Sequence, residues 1–446
     1  MRYRARKTAL QVIALAWASL AANAGDVPDP TAWIYRGDAA RTGYAGGPSP
    51  TKLTLAWEFH DDLAMFASSP LVVGKFLYGA SCVFDPPTSH GTLFCLDAIT
   101  GKVRWSQSTF INAAGKKQGF KGFFSSPAVS ADGRYLVIGQ GVHNDTNCGL
   151  ICVEAATGKV LWVAPTPLHL ECSPAIEGDV VVCGAGAIES AKTGLPIGNS
   201  GFVFAVRISD GARLWDYPVV DPESSPVIAD GIAYIGSGMN GKALVALRIA
   251  SDDELKEKKL DRLLWRTPTP HPAGGAVTLT GDLVIVGCGN GDYGKSAKDP
   301  SGRVMAMERA TGAVRWETPM PDTVLGEVAV RDGLAICPVR NGEVIALDVA
   351  TGAIRWRQVD PKDRISRKGA VLAGAAFTDR LIYAVSQDGY LAIIEPKTGA
   401  ISERIYLNSK RRAGELGLGA SSPFVTGGRV YVGSETGGIR CLQAAP

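Results

Sequence analysis

After its first twenty residues the chain has no apolar run near the ~18 residues that a membrane helix needs, and it carries almost no excess of either charge, with 46 basic residues against 43 acidic ones. Arg2, Arg4, Arg6 and Lys7 precede a largely apolar stretch, Ala9 to Leu20, that ends at the small-residue site Ala22-Asn23-Ala24. This order reads as a secretory signal peptide over residues 1–24, cleaved after Ala24. Without those four basic residues the balance is 42 against 43, which excludes a global attraction to nucleic acid or anionic lipid. No cysteine follows the apolar stretch, so a lipid anchor is excluded too, and the expectation is a soluble periplasmic or secreted protein, monomeric, without a membrane span. Histidine is scarce, at 5 residues, and no two cysteines are adjacent. No local motif pairs a nucleophile with a base or spaces ligands for a metal.

What the chain has in quantity is repetition. Asp97-Ala98-Ile99-Thr100-Gly101-Lys102-Val103-Arg104-Trp105 reappears as Glu154 to Trp162, Glu308 to Trp316 and Asp348 to Trp356. Trp57, Trp105, Trp162, Trp215, Trp265, Trp316 and Trp356 follow one another at intervals of 40 to 57 residues, a period that indicates propeller blades. Each unit reads as four short strands, for example Leu71-Val72-Val73, Phe76-Leu77-Tyr78-Gly79, Leu93-Phe94-Cys95-Leu96 and Val103-Arg104-Trp105, separated by turn residues. A Thr-Gly turn before the fourth strand lets Gly101, Gly158, Gly312, Gly352 and Gly399 take positive φ. Pro70, Pro127, Pro174, Pro226 and Pro423 mark the first strand as an edge along a central channel.

Counting first strands gives eight blades, so the fold expected is all-β: an eight-bladed β-propeller of four-stranded antiparallel blades. The last unit stops after Cys441-Leu442-Gln443 with no fourth strand, while Leu53-Thr54-Leu55-Ala56-Trp57 is a fourth strand with no preceding three. Joining them closes the ring and removes the open edges. Residues 51–446 then form one propeller domain and residues 25–50 an N-terminal extension. The seventh unit has Glu403 where Trp is expected, which predicts an interface with less apolar area.

The phrase Ala-x-Thr-Gly-x-x-x-Trp, at Ala98 to Trp105 and Ala155 to Trp162, resembles the tryptophan-docking motif of the PQQ-repeat eight-bladed propellers. That family includes the quinoprotein alcohol dehydrogenases, the assembly factor BamB and many periplasmic proteins. Trp33-Ile34-Tyr35-Arg36-Gly37-Asp38 with Arg41-Thr42-Gly43 is similar to the leading segment of the last group. The resemblance implies fold more than function, because the motif serves interblade contacts. For the dehydrogenases it implies PQQ and a calcium ion on the channel face, with a catalytic aspartate. Here no adjacent-cysteine disulfide is available, and neither Asp145 nor Asp292 lies in a matching motif. An adhesive role for Arg36-Gly37-Asp38 has little support, since three-residue matches arise by chance.

Strand direction places the loops between strands two and three, and the linkers into strand one, on one face. These loops hold His90, His143, His169 and His271, with His60 elsewhere. Four imidazoles on one rim suggest a metal or proton-transfer site, against the plainer reading of solvated rim histidines. Glu171 and Glu223 occupy the same slot before the first strand in adjacent blades, and Glu327 lies one position further along in its own. Such carboxylates call for a cation, whether Ca²⁺ on Glu171 and Glu223, an arginine such as Arg340, or a ligand ammonium, unless water alone solvates them. The candidate channel-face site is therefore Glu171, Glu223, Glu327, His143, Asp145, His169, His271 and Arg340. Most of the nine cysteines fall in core slots. Cys82 and Cys148 lie in neighbouring loops and are expected to form a disulfide.

Two functions compete. One is a non-catalytic binding or assembly scaffold for a protein, peptide or glycan partner. The other is a PQQ- and Ca²⁺-dependent oxidoreductase acting on alcohols or sugars; a solute-binding or sensor domain is a third possibility.

Overall fold

The computed structural model describes residues 34–445, apart from 86–87, 113, 191–194, 292–294, 367–370 and 410–418. The expected leader, Trp33 and Asp292 lie outside the described residues. Eight antiparallel four-stranded sheets are arranged in sequence. Blade one is Leu71–Val73, Phe76–Ala80, Leu93–Asp97 and Val103–Gln107. Blade eight takes Phe424–Thr426, Arg429–Gly433 and Ile439–Ala444 from the end of the chain and Leu53–Phe59 from near its start. In that closure Trp57 pairs with Cys441 across the sheet, and its ring lies 6.1 Å from that of Tyr431. Among the described residues no helix is long and apolar enough to cross a membrane.

The repeated phrase proves to be a docking device between blades. Each tryptophan indole N–H donates to a backbone carbonyl of the next blade: Trp57 to Ala98, Trp105 to Ala155, Trp162 to Ile208, Trp215 to Ile249, Trp265 to Arg309, Trp316 to Val349 and Trp356 to Pro396. For six of the seven the turn glycine of that next blade lies against the same ring, and Trp215 is covered by Arg262 instead, 4.3 Å from its ring centre. Gly158 has φ +74, and a Cβ there would sit 2.5 Å from Trp105 Cε3. Gly158→Ala is thus expected to cost about 1–3 kcal/mol, from the left-handed backbone alone before any clash is relieved, read as a lower urea midpoint. A destabilisation under 0.5 kcal/mol, as is usual at an unconstrained surface site, would contradict this role.

Glu403 breaks the pattern for a physical reason. Blade eight has no Thr-Gly turn to offer, because its outer strand comes from elsewhere in the chain. Instead the Glu403 carboxylate accepts the backbone N–H groups of Lys52 and Leu53, at 2.8 and 2.9 Å. Those donors open the closing strand and would otherwise be unpaired. A polar clasp replaces the apolar contact at this one junction.

On the channel side, a belt of serines links the inner strands. The backbone N–H of Ser422 donates to Ser69 Oγ, Ser69 to Ser126, Ser126 to Ser173 and Ser173 to Ser225, all within 2.9 Å. Pairing of Ala175 with Val182 and of Ala329 with Ile336 puts Glu327 in the slot of Ser173 in this belt. It is therefore two positions beyond the slot of Glu171, where the sequence comparison had one.

The channel is filled by the chain itself. Residues preceding the closing strand run along the inner strands of blades five, six and seven, with Leu279, Val330 and Phe377 donating N–H groups to the carbonyls of Ala40, Thr42 and Gly43. Arg41 is fully buried and donates to the carbonyls of Ser173 and Pro174 on the far side. Tyr35 donates its hydroxyl to Glu327, and Arg36 Nε lies 4.0 Å from the same carboxylate. Arg36 is buried, and Asp38 turns inward to accept from the backbone and hydroxyl of Thr42. An adhesive use of this tripeptide is excluded in this fold.

Candidate functional site

Four of the residues singled out in the sequence meet on one rim. His143 comes from the loop between Tyr135–Gln140 and Thr146–Glu154 of blade two. His169 and Glu171 lie in the linker from Val160–Leu168 to Ala175–Glu177. Glu223 lies in the next linker, between Arg213–Pro218 and Val227–Ala229. The structure adds Glu189, from the long loop of blade three. The two imidazole rings are 5.6 Å apart, edge to face.

The contacts within the group are dense. Glu189 meets His143 Nδ1 through Oε1 and accepts the Asn144 N–H through Oε2. Glu171 accepts the His143 backbone N–H at 2.7 Å and lies 3.5 Å from His143 Nε2. His169 Nε2 is 3.1 Å from Glu223 Oε1. Side-chain exposure is 1% for His169 and Glu189, 13% for Glu171 and 27% for His143, so the group opens to solvent at His143 and Glu171. Gly186 makes room for the inner ring: a Cβ there would sit 2.5 Å from His169 Nε2.

Burial in this site opposes charge, and the neighbours decide the outcome. Burial alone would lower the His143 pKa, but Glu171, the hydrogen bond to Glu189 and the charge of Glu223 raise it to about 11. The same opposition leaves His169 at about 9, with its bond to Glu223 the largest raising contribution. Burial lifts Glu171 despite both histidines. Asp221 is lifted to about 7 by burial and by Glu223. The site therefore retains positive charge strongly, because carboxylates outnumber imidazoles in a medium that screens little.

The remaining expectations come apart. Glu327 already has its cation and donor, Arg36 and Tyr35. Arg340 is buried on blade six, where its backbone N–H donates to the Thr323 carbonyl; among the described residues no ion pair joins it to Glu171 or Glu223. Asp145 is a structural acceptor: it takes the Val142 N–H, both polar groups of Ser89, the Thr88 hydroxyl and Lys121, tying blade one's hairpin to blade two. His271 lies by Ser301, 3.1 Å away, with its pKa lowered by burial and by Arg303 and Lys242. His90 is exposed on a hairpin and His60 pairs with Glu58. Two of the four rim histidines meet.

The expected disulfide is not formed. Cys82 and Cys148 are free and buried in different clusters, one thiol packed on Gly122 and the other on Gly141. The cysteines that approach each other are Cys172 and Cys183, with sulfurs 3.3 Å apart. Sequence slots hid this pair, because one thiol comes from a linker and the other from a strand interior.

Calcium and PQQ fit poorly. Ca²⁺ prefers shells of six to eight oxygens, whereas the carboxylates here face imidazoles. The buried side chains of Tyr35, Arg36 and Arg41 lie in the channel, where a planar quinone on the axis would compete with them.

No curated protein sequence matches the chain. Among solved structures, BamB from Moraxella catarrhalis has a TM-score of 0.57 at 17% identity, covering 88% of this chain and 97% of that one. A europium-containing methanol dehydrogenase has 0.64 at 14%, covering 92% and 91%. A computationally designed protein, Ika8, has 0.59 at 12%, covering 87% and 98%. These likenesses establish the shared ring and nothing finer. The family profile described as "Outer membrane protein assembly factor BamB" matches residues 54–293 and again 261–446, nearly the whole ring with its tryptophan-docked blades, and the chain belongs to that family of PQQ-repeat propellers.

Proposed function

We propose that this protein is an extracytoplasmic, non-catalytic scaffold that holds a protein partner on the outside of its ring. The observation that carries this reading is the occupied channel: Tyr35, Arg36 and Arg41 take the axial space in which a propeller oxidoreductase would need to seat a cofactor. The binding surface then has to be rim or edge. A groove of about 1080 Å³ runs along the outer edge of blade two, lined by Phe110, Ile111, Leu161, Trp162, Pro165 and Pro167. Ile111 and Leu161 stand 67% and 37% exposed beside it, and exposed apolar groups in a groove favour a protein partner. The BamB description of the family supports the same direction, and the basic, apolar leader supports export.

Two measurements test this. A photo-crosslinking residue at Ile111 or Leu161 is expected to give one dominant adduct in the cell envelope, and the same residue at Ile354 on blade six none. Equal labelling at all three positions, or none at any, would remove the groove from consideration. Purified protein incubated with PQQ and Ca²⁺ is expected to bind no quinone and to reduce no dye with alcohols or sugars. Dye reduction would overturn the non-catalytic reading.

A further inference from the structure

The group on blades two to four brings together two kinds of donor that a solvated rim has no need to combine. His143, His169, Glu189 and Glu223 each offer a ligand atom, and the four atoms lie within 4.8 Å of one another. They come from four separate loops and linkers, so no local chain geometry forces them together. A tetrahedral centre with bonds of roughly 2.0–2.2 Å needs donors about 3.3–3.6 Å apart, a contraction that the partly exposed ring of His143 can supply by rotation.

We propose that His143, His169, Glu189 and Glu223 form a binding site for one divalent transition-metal ion of the zinc class. Two imidazole nitrogens and two carboxylates suit Zn²⁺, Co²⁺ or Mn²⁺ far better than Ca²⁺. Charge agrees: two neutral imidazoles, two carboxylates and a dication sum to zero, so the ion can enter a largely buried site without leaving net charge.

The surroundings are those of a metal centre. Glu189 lies against His143 Nδ1, so with the ion taken on that nitrogen the other, Nε2, faces Glu171 at 3.5 Å. A carboxylate on the far nitrogen fixes the tautomer and orients the ligand. Asp221, two residues before Glu223, is fully buried with an Oδ1 that makes no hydrogen bond among the described residues, a polar atom beside the site that still lacks a partner. Gly186 provides the clearance that lets His169 reach the group.

The proposal is tested on full-length mature protein stripped with a chelator and titrated with Co²⁺. The expected result is one equivalent bound, with the intense visible d–d absorption of a four-coordinate site, displaced by one equivalent of Zn²⁺. Glu189→Gln and His143→Gln keep side-chain volume in a loop and should preserve the fold, checked by circular dichroism. Each should weaken binding more than about 100-fold, since loss of even an outer partner costs roughly 10–100-fold. His90→Gln, on the same face, should change nothing. Absence of a saturable band, or a band that persists in both loop variants, overturns the site. The groove crosslinks are independent of the ion, so their failure and the failure of this site are separately visible.

Discussion

A chain that begins at residue 60 is expected not to form a stable ring. It lacks Leu53–Phe59, which completes blade eight through pairing with Ile439–Ala444, and it lacks Trp57, which packs on Tyr431 and on Gly101 of blade one. Loss of a large aromatic side chain from such a position costs about 3–5 kcal/mol by itself, and whole domains hold only about 5–15 kcal/mol. The truncation also bares the outer edge of Ile439–Ala444, which invites association between chains. Size-exclusion chromatography should show aggregate or an expanded monomer. A second truncation, beginning at residue 51, keeps the closing strand and removes the channel segment; it should remain folded but less stable. A compact monomer from the shorter chain with an unchanged melting temperature would show that the ring closes without its donated strand.

Glu327→Leu is expected to cost about 3–5 kcal/mol, as removal of one member of a buried ion pair does. The substitution leaves the Arg36 guanidinium buried without its ion pair and the Tyr35 hydroxyl without its Glu327 acceptor. The double variant Arg36→Met with Glu327→Leu should recover much of the loss, because replacing both charges by apolar groups avoids stranding either. Urea midpoints for the wild type, both singles and the double give the coupling directly. If the single variant is as stable as the wild type, the carboxylate does not anchor the channel segment, and Glu327 returns to the set of groups available to a ligand.

The tryptophans and most of the turn glycines could be read from the chain because the same contact is used again and again. A contact repeated seven times leaves a sequence period, and the period carries the blade count and the missing strand with it. Glu171 and Glu223 were legible for the same reason, as matching slots in adjacent units. Glu189 was not: it belongs to an irregular loop with no counterpart elsewhere, and nothing in its neighbours marks it. The Cys82–Cys148 expectation failed because a shared face does not fix which way a thiol points, and both thiols turn into the core.

The sequence by itself determined the ring: eight units, their order, the strand that closes them, and the face on which the long loops gather. These follow from local periodicity and from pairing between neighbours, both of which are written along the chain. Only the tertiary structure decided that the leading segment fills the channel, that Glu327 serves Arg36 and Tyr35, and that two of four rim histidines converge on Glu189 and Glu223. Those contacts join residues tens to hundreds of positions apart across the ring, where side-chain direction, and not spacing, sets which groups meet.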